Sequence, residues 1–144
     1  MEHKNKIIKN HEGFSLIEML IVIALMALVG TFVAQNVIGK YEAAKVDAAK
    51  IQLRELGRVL DDFRRVCGFY PTQEQGLDAL IKPPVGRECK NWDPFIKDSK
   101  VPQDPWGNDF EYTSDGNKYV IKSFGADGKP GGEKYDKDIS TDDL

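Results

Sequence analysis

The apolar run over residues 14–34 constrains this chain more than any other feature, because only Ser15, Glu18 and Thr31 interrupt it with polar side chains. At about 1.5 Å per residue, a helix of that length reaches roughly 30 Å, enough to cross a bilayer. A carboxylate inside such a segment costs on the order of 2.5–3.5 kcal/mol by insertion scales, so Glu18 marks function rather than packing. Gly13 stands directly before the run, behind the polar leader MEHKNKIIKNHEG. A cut after Gly13 would leave Phe14 with a free ammonium, close enough in sequence to give Glu18 a cationic partner. That arrangement points to processing and assembly.

A secretory signal is cut behind its apolar stretch, at a site of small residues, and is then discarded. Here the run is followed by Gln35 and Asn36 and offers a poor site of that kind, and no Cys stands directly behind it to receive a lipid. An uncleaved anchor would explain the run and the lysines Lys4, Lys6 and Lys9, which hold an N-terminus on the cytoplasmic side. It leaves Glu18 and the junction Gly13-Phe14-Ser15-Leu16-Ile17-Glu18 without a purpose.

That junction resembles the cleavage and methylation motif of type IV pilins and type II secretion pseudopilins. The resemblance implies that a prepilin peptidase cuts after Gly13 and methylates the Phe14 amine. It further implies that Glu18 pairs with the Phe14 amine of a neighbouring subunit. Two positions depart from the pattern. Glu12 places an acid beside the cut, and Gln35 stands where many relatives have a helix-kinking Pro.

Outside the run, the composition fits one small domain. The net charge of −3 gives no basic footprint for nucleic acid. Both histidines, His3 and His11, lie in the leader, so the processed chain has none. That argues against His-based acid–base chemistry, His-dependent triads and His-ligated zinc, and hence against an enzyme.

Beyond the run, Val46, Ala49, Leu53, Leu56, Leu60, Phe63 and Cys67 recur at spacings of three and four, with charges on the other faces. This predicts an amphipathic helix that continues the apolar one and covers a sheet with one stripe. Gly57 weakens it by roughly 1 kcal/mol relative to Ala, and Cys67-Gly68 ends it. Thr72 and Gln75 form a capping box ahead of a short helix carrying Leu77, Leu80 and Ile81, which Pro83-Pro84 stops. Strands are expected from Phe110 to Thr113 and from Lys118 to Ser123, joined by an Asp115-Gly116 hairpin turn. Trp92 and Trp106 are expected to pack against the sheet or its loops.

The segments YPTQEQGLDAL and VPQDPWGN resemble the general secretion pathway protein G family of type II secretion, over nearly the whole chain. The implied fold is α+β and type IV pilin-like: a long N-terminal helix, membrane-spanning in its first half, on a small antiparallel sheet with a C-terminal calcium loop. The implied divisions are a leader at 1–13, a transmembrane and assembly helix at 14–35 and a periplasmic domain at 36–144. In an oxidising periplasm, Cys67 and Cys89 suggest one disulfide; the alternative is two unrelated thiols.

The tail combines glycines with Asp127, Glu133, Asp136 and Asp138. By composition alone it reads as a solvated acidic loop, and its spacing is not that of an EF-hand. The resemblance implies instead a Ca²⁺ site with side-chain oxygens from Asp127, Asp136 and Asp138. Backbone carbonyls of Phe124, Ala126 and Lys129 would complete it. Ser140 to Leu144 is expected to fray.

The function implied is a structural subunit of the periplasmic pseudopilus, single-pass in the inner membrane, that drives export of folded proteins through the outer membrane. Its implied partners are further copies of itself, minor pseudopilins, the prepilin peptidase and the inner-membrane assembly platform. A motility or adhesion pilin, or a monomeric tethered binding domain, is the alternative.

Overall fold

A computed structural model describes residues 13–98 and 100–144. The expected leader lies, up to residue 12, outside the described residues. One helix, α1, runs from Leu16 to Cys67 and continues through position 35. By internal contacts the chain falls into two units, Met1–Gly39 and Lys40–Leu144.

In the first unit α1 exposes large apolar side chains along its length, including Leu16, Ile23, Leu28 and Phe32. Among the described residues this is the one helix long and apolar enough to cross a membrane.

The second unit has its own core. The predicted stripe is the face α1 buries: Ala49, Leu53, Leu60 and Phe63 are wholly inaccessible, and Val46 and Cys67 pack at its margins. Phe63 anchors it, edge-on to Phe69 at 5.7 Å and tilted against Phe95 at 5.2 Å between ring centroids. The amide of Gly68 donates to the Arg64 carbonyl at 2.7 Å, closing the last turn of the helix where the sequence placed its end. Cys67 and Cys89 are joined in a disulfide, 22 residues apart. Closing a loop of that size contributes roughly 3 kcal/mol in the chain-entropy picture.

Gly57 has a role that helix propensity does not reveal. A Cβ built there would stand 2.9 Å from the Tyr119 hydroxyl. Tyr119 is itself held edge-on to Tyr70 at 4.7 Å and stacked on Tyr112 at 6.4 Å. The Tyr70 hydroxyl donates to Asp61 and that of Tyr112 to the Pro71 carbonyl, each at 2.8 Å. The glycine lets the sheet's aromatic face close on the helix.

The Thr72–Gln75 capping box forms reciprocally: the Thr72 amide donates to Gln75 Oε1 at 2.9 Å and the Gln75 amide to Thr72 Oγ1 at 3.4 Å. It closes a turn rather than starting an α-helix. The helical piece that follows is one 3₁₀ turn, Leu77–Leu80, preceded by Gly76. Gln75 also donates to the Val85 carbonyl, so the box serves the loop as much as the helix. Leu77 and Leu80 are buried, as expected.

Three antiparallel strands follow in the order β1 (Glu111–Ser114), β2 (Tyr119–Ser123) and β3 (Ile139–Ser140). In the β1–β2 turn, Asp115 Oδ1 accepts from the Asn117 and Lys118 amides at 2.8 and 2.7 Å, while Gly116 takes a φ of 86°. The Lys118 and Asn117 amides also hold the Asp115 carboxyl below its usual range. β3 was not foreseen. Ser140 pairs with Lys122, and a 3₁₀ turn, Thr141–Asp143, begins from a cap in which Ser140 Oγ accepts the Asp142 amide. The expected fraying of residues 140–144 is therefore corrected. Thr141 Oγ1 also accepts the Ile121 amide, so the end of the chain supplies hydrogen bonds to β2.

Candidate functional site

Two regions carry the sequence-predicted site residues. At the first, Gly13, Phe14 and Ser15 lead into α1, and the Met19 amide donates to the Ser15 carbonyl at 3.1 Å, closing the first turn. Glu18 lies in that turn. It is exposed and makes no ion pair among the described residues. Phe14 is 79% exposed. Among the described residues, nothing covers this carboxylate or the ladder of apolar side chains that follows it.

The second region is the loop between β2 and β3. It doubles back so that the Ala126 amide donates to the Tyr135 carbonyl at 2.9 Å, while the Gly131 amide donates to Asp138 Oδ1 at 2.9 Å. Asp127 Oδ1 accepts the Lys129 amide at 3.1 Å. Two glycines make the fold-back possible: a Cβ at Gly125 would stand 2.7 Å from the Tyr135 carbonyl oxygen, and one at Gly132 would strike the backbone of Asp136. Both have positive φ, 67° and 83°. The stretches that carry Phe124, Ala126 and Asp127 are thereby laid beside those that carry Asp136 and Asp138.

The donor set is all oxygen, which suits a hard cation such as Ca²⁺ in kind. Among the described residues, however, no group of three acidic, His or Cys side chains comes together as a metal-holding cluster. Asp127 and Asp136 face solvent and Asp138 is half-buried. As folded here, the loop satisfies Asp127 and Asp138 with its own amides.

Both tryptophans pack against the core, Trp92 bonding the loop side as expected but Trp106 reaching the helix rather than the sheet. Trp92 Nε1 donates to the Ala79 carbonyl at 2.9 Å, and Trp106 Nε1 to Glu42 Oε2 on α1 at 2.8 Å. Sequence reasoning passed over Asp104, which is only 4% exposed. Its carboxylate accepts from the amides of Trp106 and Asn108, at 3.0 and 2.8 Å, and from the hydroxyl of Ser123 at 2.6 Å. The available signal was the Asp-Pro-Trp-Gly-Asn stretch, since an Asp heading a turn commonly takes the amides that follow it.

Comparison with known proteins bears on both regions. Residues 36–142 match the family described as Type II secretion system, protein G, and residues 8–34 match the Prokaryotic N-terminal methylation motif. The type II secretion system core protein G of Pseudomonas aeruginosa is 38% identical over 136 residues, covering 91% of this chain and 94% of its own. That of Vibrio cholerae is 36% identical over 136 residues, covering 93% of each. The crystal structure of the major pseudopilin from the type 2 secretion system of enterohaemorrhagic Escherichia coli superposes with a TM-score of 0.62 at 34% identity. It covers 76% of this chain and 96% of its own.

Proposed function

This chain belongs to the type II secretion system protein G family, and on that premise we infer that it is a pseudopilin, a structural subunit of the secretion filament. The observation that carries this reading is the division of labour along α1. The same helix that closes a self-sufficient core in residues 40–144 exposes a long apolar face and one carboxylate in residues 13–39. A subunit that is stored in a membrane and then packed against copies of itself needs both halves.

The finer proposal follows from the chemistry of the junction. Cleavage after Gly13 gives Phe14 an ammonium, and Glu18 of one subunit pairs with that ammonium on a neighbour. In low dielectric such a pair is strongly directional, because a subunit seated out of register leaves two charges unmatched. Before assembly the helix anchors the protein in the inner membrane with the 36–144 domain in the periplasm. The lysines of the leader favour that orientation. The prepilin peptidase, the assembly platform and the minor pseudopilins are the partners this life cycle requires.

We further propose that the β2–β3 loop binds one Ca²⁺. The all-oxygen donor set and the glycines that bring residues 124–127 beside 135–138 support this reading. Asp127, Asp136 and Asp138 would hold the ion together with loop carbonyls of Phe124, Ala126 and Lys129. The ion would supply the positive charge that draws the three carboxylates of the folded-back loop together. Binding to the folded form alone raises stability with ion concentration.

The decisive experiment is Glu18→Ala in secreting cells, with cysteine crosslinking between subunits and a secretion assay. Loss of both crosslinks and export, with the protein still present in the membrane, is expected. Normal export would overturn the pairing role. For the loop, full-length protein in detergent micelles should unfold at a higher temperature in calcium than in chelator, and Asp127→Ala should remove that gain.

A further inference from the structure

We propose that Asp104 and Asn108 are positioning residues for the β2–β3 loop: a latch built on the buried Asp104 carboxylate and anchored on α1 through Trp106, which fixes Gly125 in the conformation the ion needs. This rests on the calcium reading above, and places part of its affinity in residues outside the loop.

A buried carboxylate without a cation is costly unless donors saturate it. Asp104 has no ion pair among the described residues, yet it has three hydrogen bonds. A carboxylate only accepts, so it sets the direction of every donor around it. One is the hydroxyl of Ser123, the last residue of β2 and wholly buried. With its proton committed to Asp104, Ser123 Oγ is free to accept the Gly125 amide, at 3.3 Å. Another is the amide of Asn108, whose side-chain Nδ2 in turn donates to the Gly125 carbonyl at 3.4 Å. Both backbone groups of Gly125 are thus held by residues that Asp104 orients.

Gly125 is also where the loop is tightest, with a φ of 67° and no room for a Cβ against the backbone of 135 and 136. Asn108 braces a second point, since a Cβ at Gly128 would come within 3.1 Å of its Oδ1. The third donor, the amide of Trp106, belongs to the residue whose indole reaches Glu42 on α1. The latch is therefore fastened to the long helix α1. Loop carbonyls and carboxylates on either side of Gly125 can converge on an ion only if this pivot is fixed. Hydrogen-bonded partners behind a metal's own ligands commonly contribute about 10–100-fold in affinity.

Asn108→Ala and the isosteric Asn108→Asp test this in the full chain in detergent micelles. Calcium affinity is read by titration calorimetry, and loop order by hydrogen exchange at Gly125 in chelator. Both variants should bind calcium about tenfold or more weakly, as expected of lost supporting hydrogen bonds. Exchange at Gly125 should be faster in both, while the unfolding midpoint in chelator stays near that of the parent. Asp fills the same volume but cannot donate to the carbonyl, so wild-type affinity and exchange in Asn108→Asp would overturn the latch. Asp127→Ala, by contrast, should abolish binding while leaving exchange at Gly125 in chelator slow. If the parent protein binds no calcium, the calcium reading falls, and the exchange data alone decide. Unchanged exchange in both Asn108 variants overturns the latch, and faster exchange in both upholds it.

Discussion

Leu25 and Leu60 belong to one uninterrupted helix, yet 56% of Leu25 is exposed and none of Leu60. Helix propensity and backbone geometry are the same at both. The difference lies in what stands opposite: for Leu60 the chain supplies Tyr112, Leu80 and Ile121 in the same core cluster, whereas residues 13–39 form a unit of their own with an exposed surface. A hydrophobic side chain therefore reports two different energies along one element. In residues 40–144 it is intramolecular stability, present in every folded copy. In residues 13–39 it is affinity for lipid or for other subunits, absent until they are there.

The largest expected effect comes from truncating one leucine in each half. Leu60→Ala should lower the stability of the domain by about 2–5 kcal/mol, the usual range for a fully buried leucine. Leu25→Ala should leave the unfolding midpoint in detergent unmoved. Thermal or denaturant unfolding checks both, and an equal loss from the two would erase the distinction. Reduction of Cys67–Cys89 comes next. It should cost roughly 3 kcal/mol within the domain, read as a lower denaturation midpoint in reductant. Cys67→Ser with Cys89→Ser should show the same drop and no further response to reductant.

Gly57 sharpens the comparison inside α1. On a solvent-exposed helix Gly→Ala gains up to about 1 kcal/mol, whereas Gly30→Ala, where an added Cβ would meet nothing within 4 Å, should like Leu25→Ala leave the domain's unfolding midpoint unmoved. Gly57→Ala should instead destabilise the domain by about 1 kcal/mol, because Tyr119 is clamped between Tyr70 and Tyr112 and yields poorly. In a Tyr119→Phe background the oxygen is gone, and Gly57→Ala should become neutral or stabilising. Failure of that reversal would remove the close approach as the reason for the glycine.

A last effect is one of pH. Burial pushes the phenols of Tyr112 and Tyr119 up to about 12, against the ordinary value of 10.0. The unfolded chain therefore ionises these groups first. The stability they contribute is full below pH 10 and lost as pH rises toward 12. Unfolding midpoints measured across that window should fall, and less steeply in Tyr119→Phe.

Much of this was legible in the sequence. The stripe from Val46 to Cys67 gave the buried face because a helix of period 3.6 shows its burial in one dimension, and Asp115-Gly116 gave the hairpin because a tight turn needs its residues in place. Family resemblance carried the protein G fold. The capping box was real but misread: Gly76 interrupts the helix that Thr72 and Gln75 would have started, and the hydrogen bonds close a turn. β3 and the order of residues 141–143 had no signal. A two-residue strand shows no alternation, and it exists only because Lys122 and Ser123 offer it a partner.

What the sequence alone determined is whatever depends on neighbours in the chain: an apolar run with one acid at a fixed offset from Gly13, the helix that continues it, its end at Gly68, and the hairpin. Other features depend on groups far apart in the chain and appear only once it is folded: Gly57 beneath Tyr119, Ser140 on β2, and Asp104 gathering Trp106, Asn108 and Ser123 behind the glycine-rich loop. Periodicity encodes which face is buried. It does not encode which residue waits on the other side, and that meeting sets the sign of a glycine's effect, the fate of a terminus and the satisfaction of a buried charge.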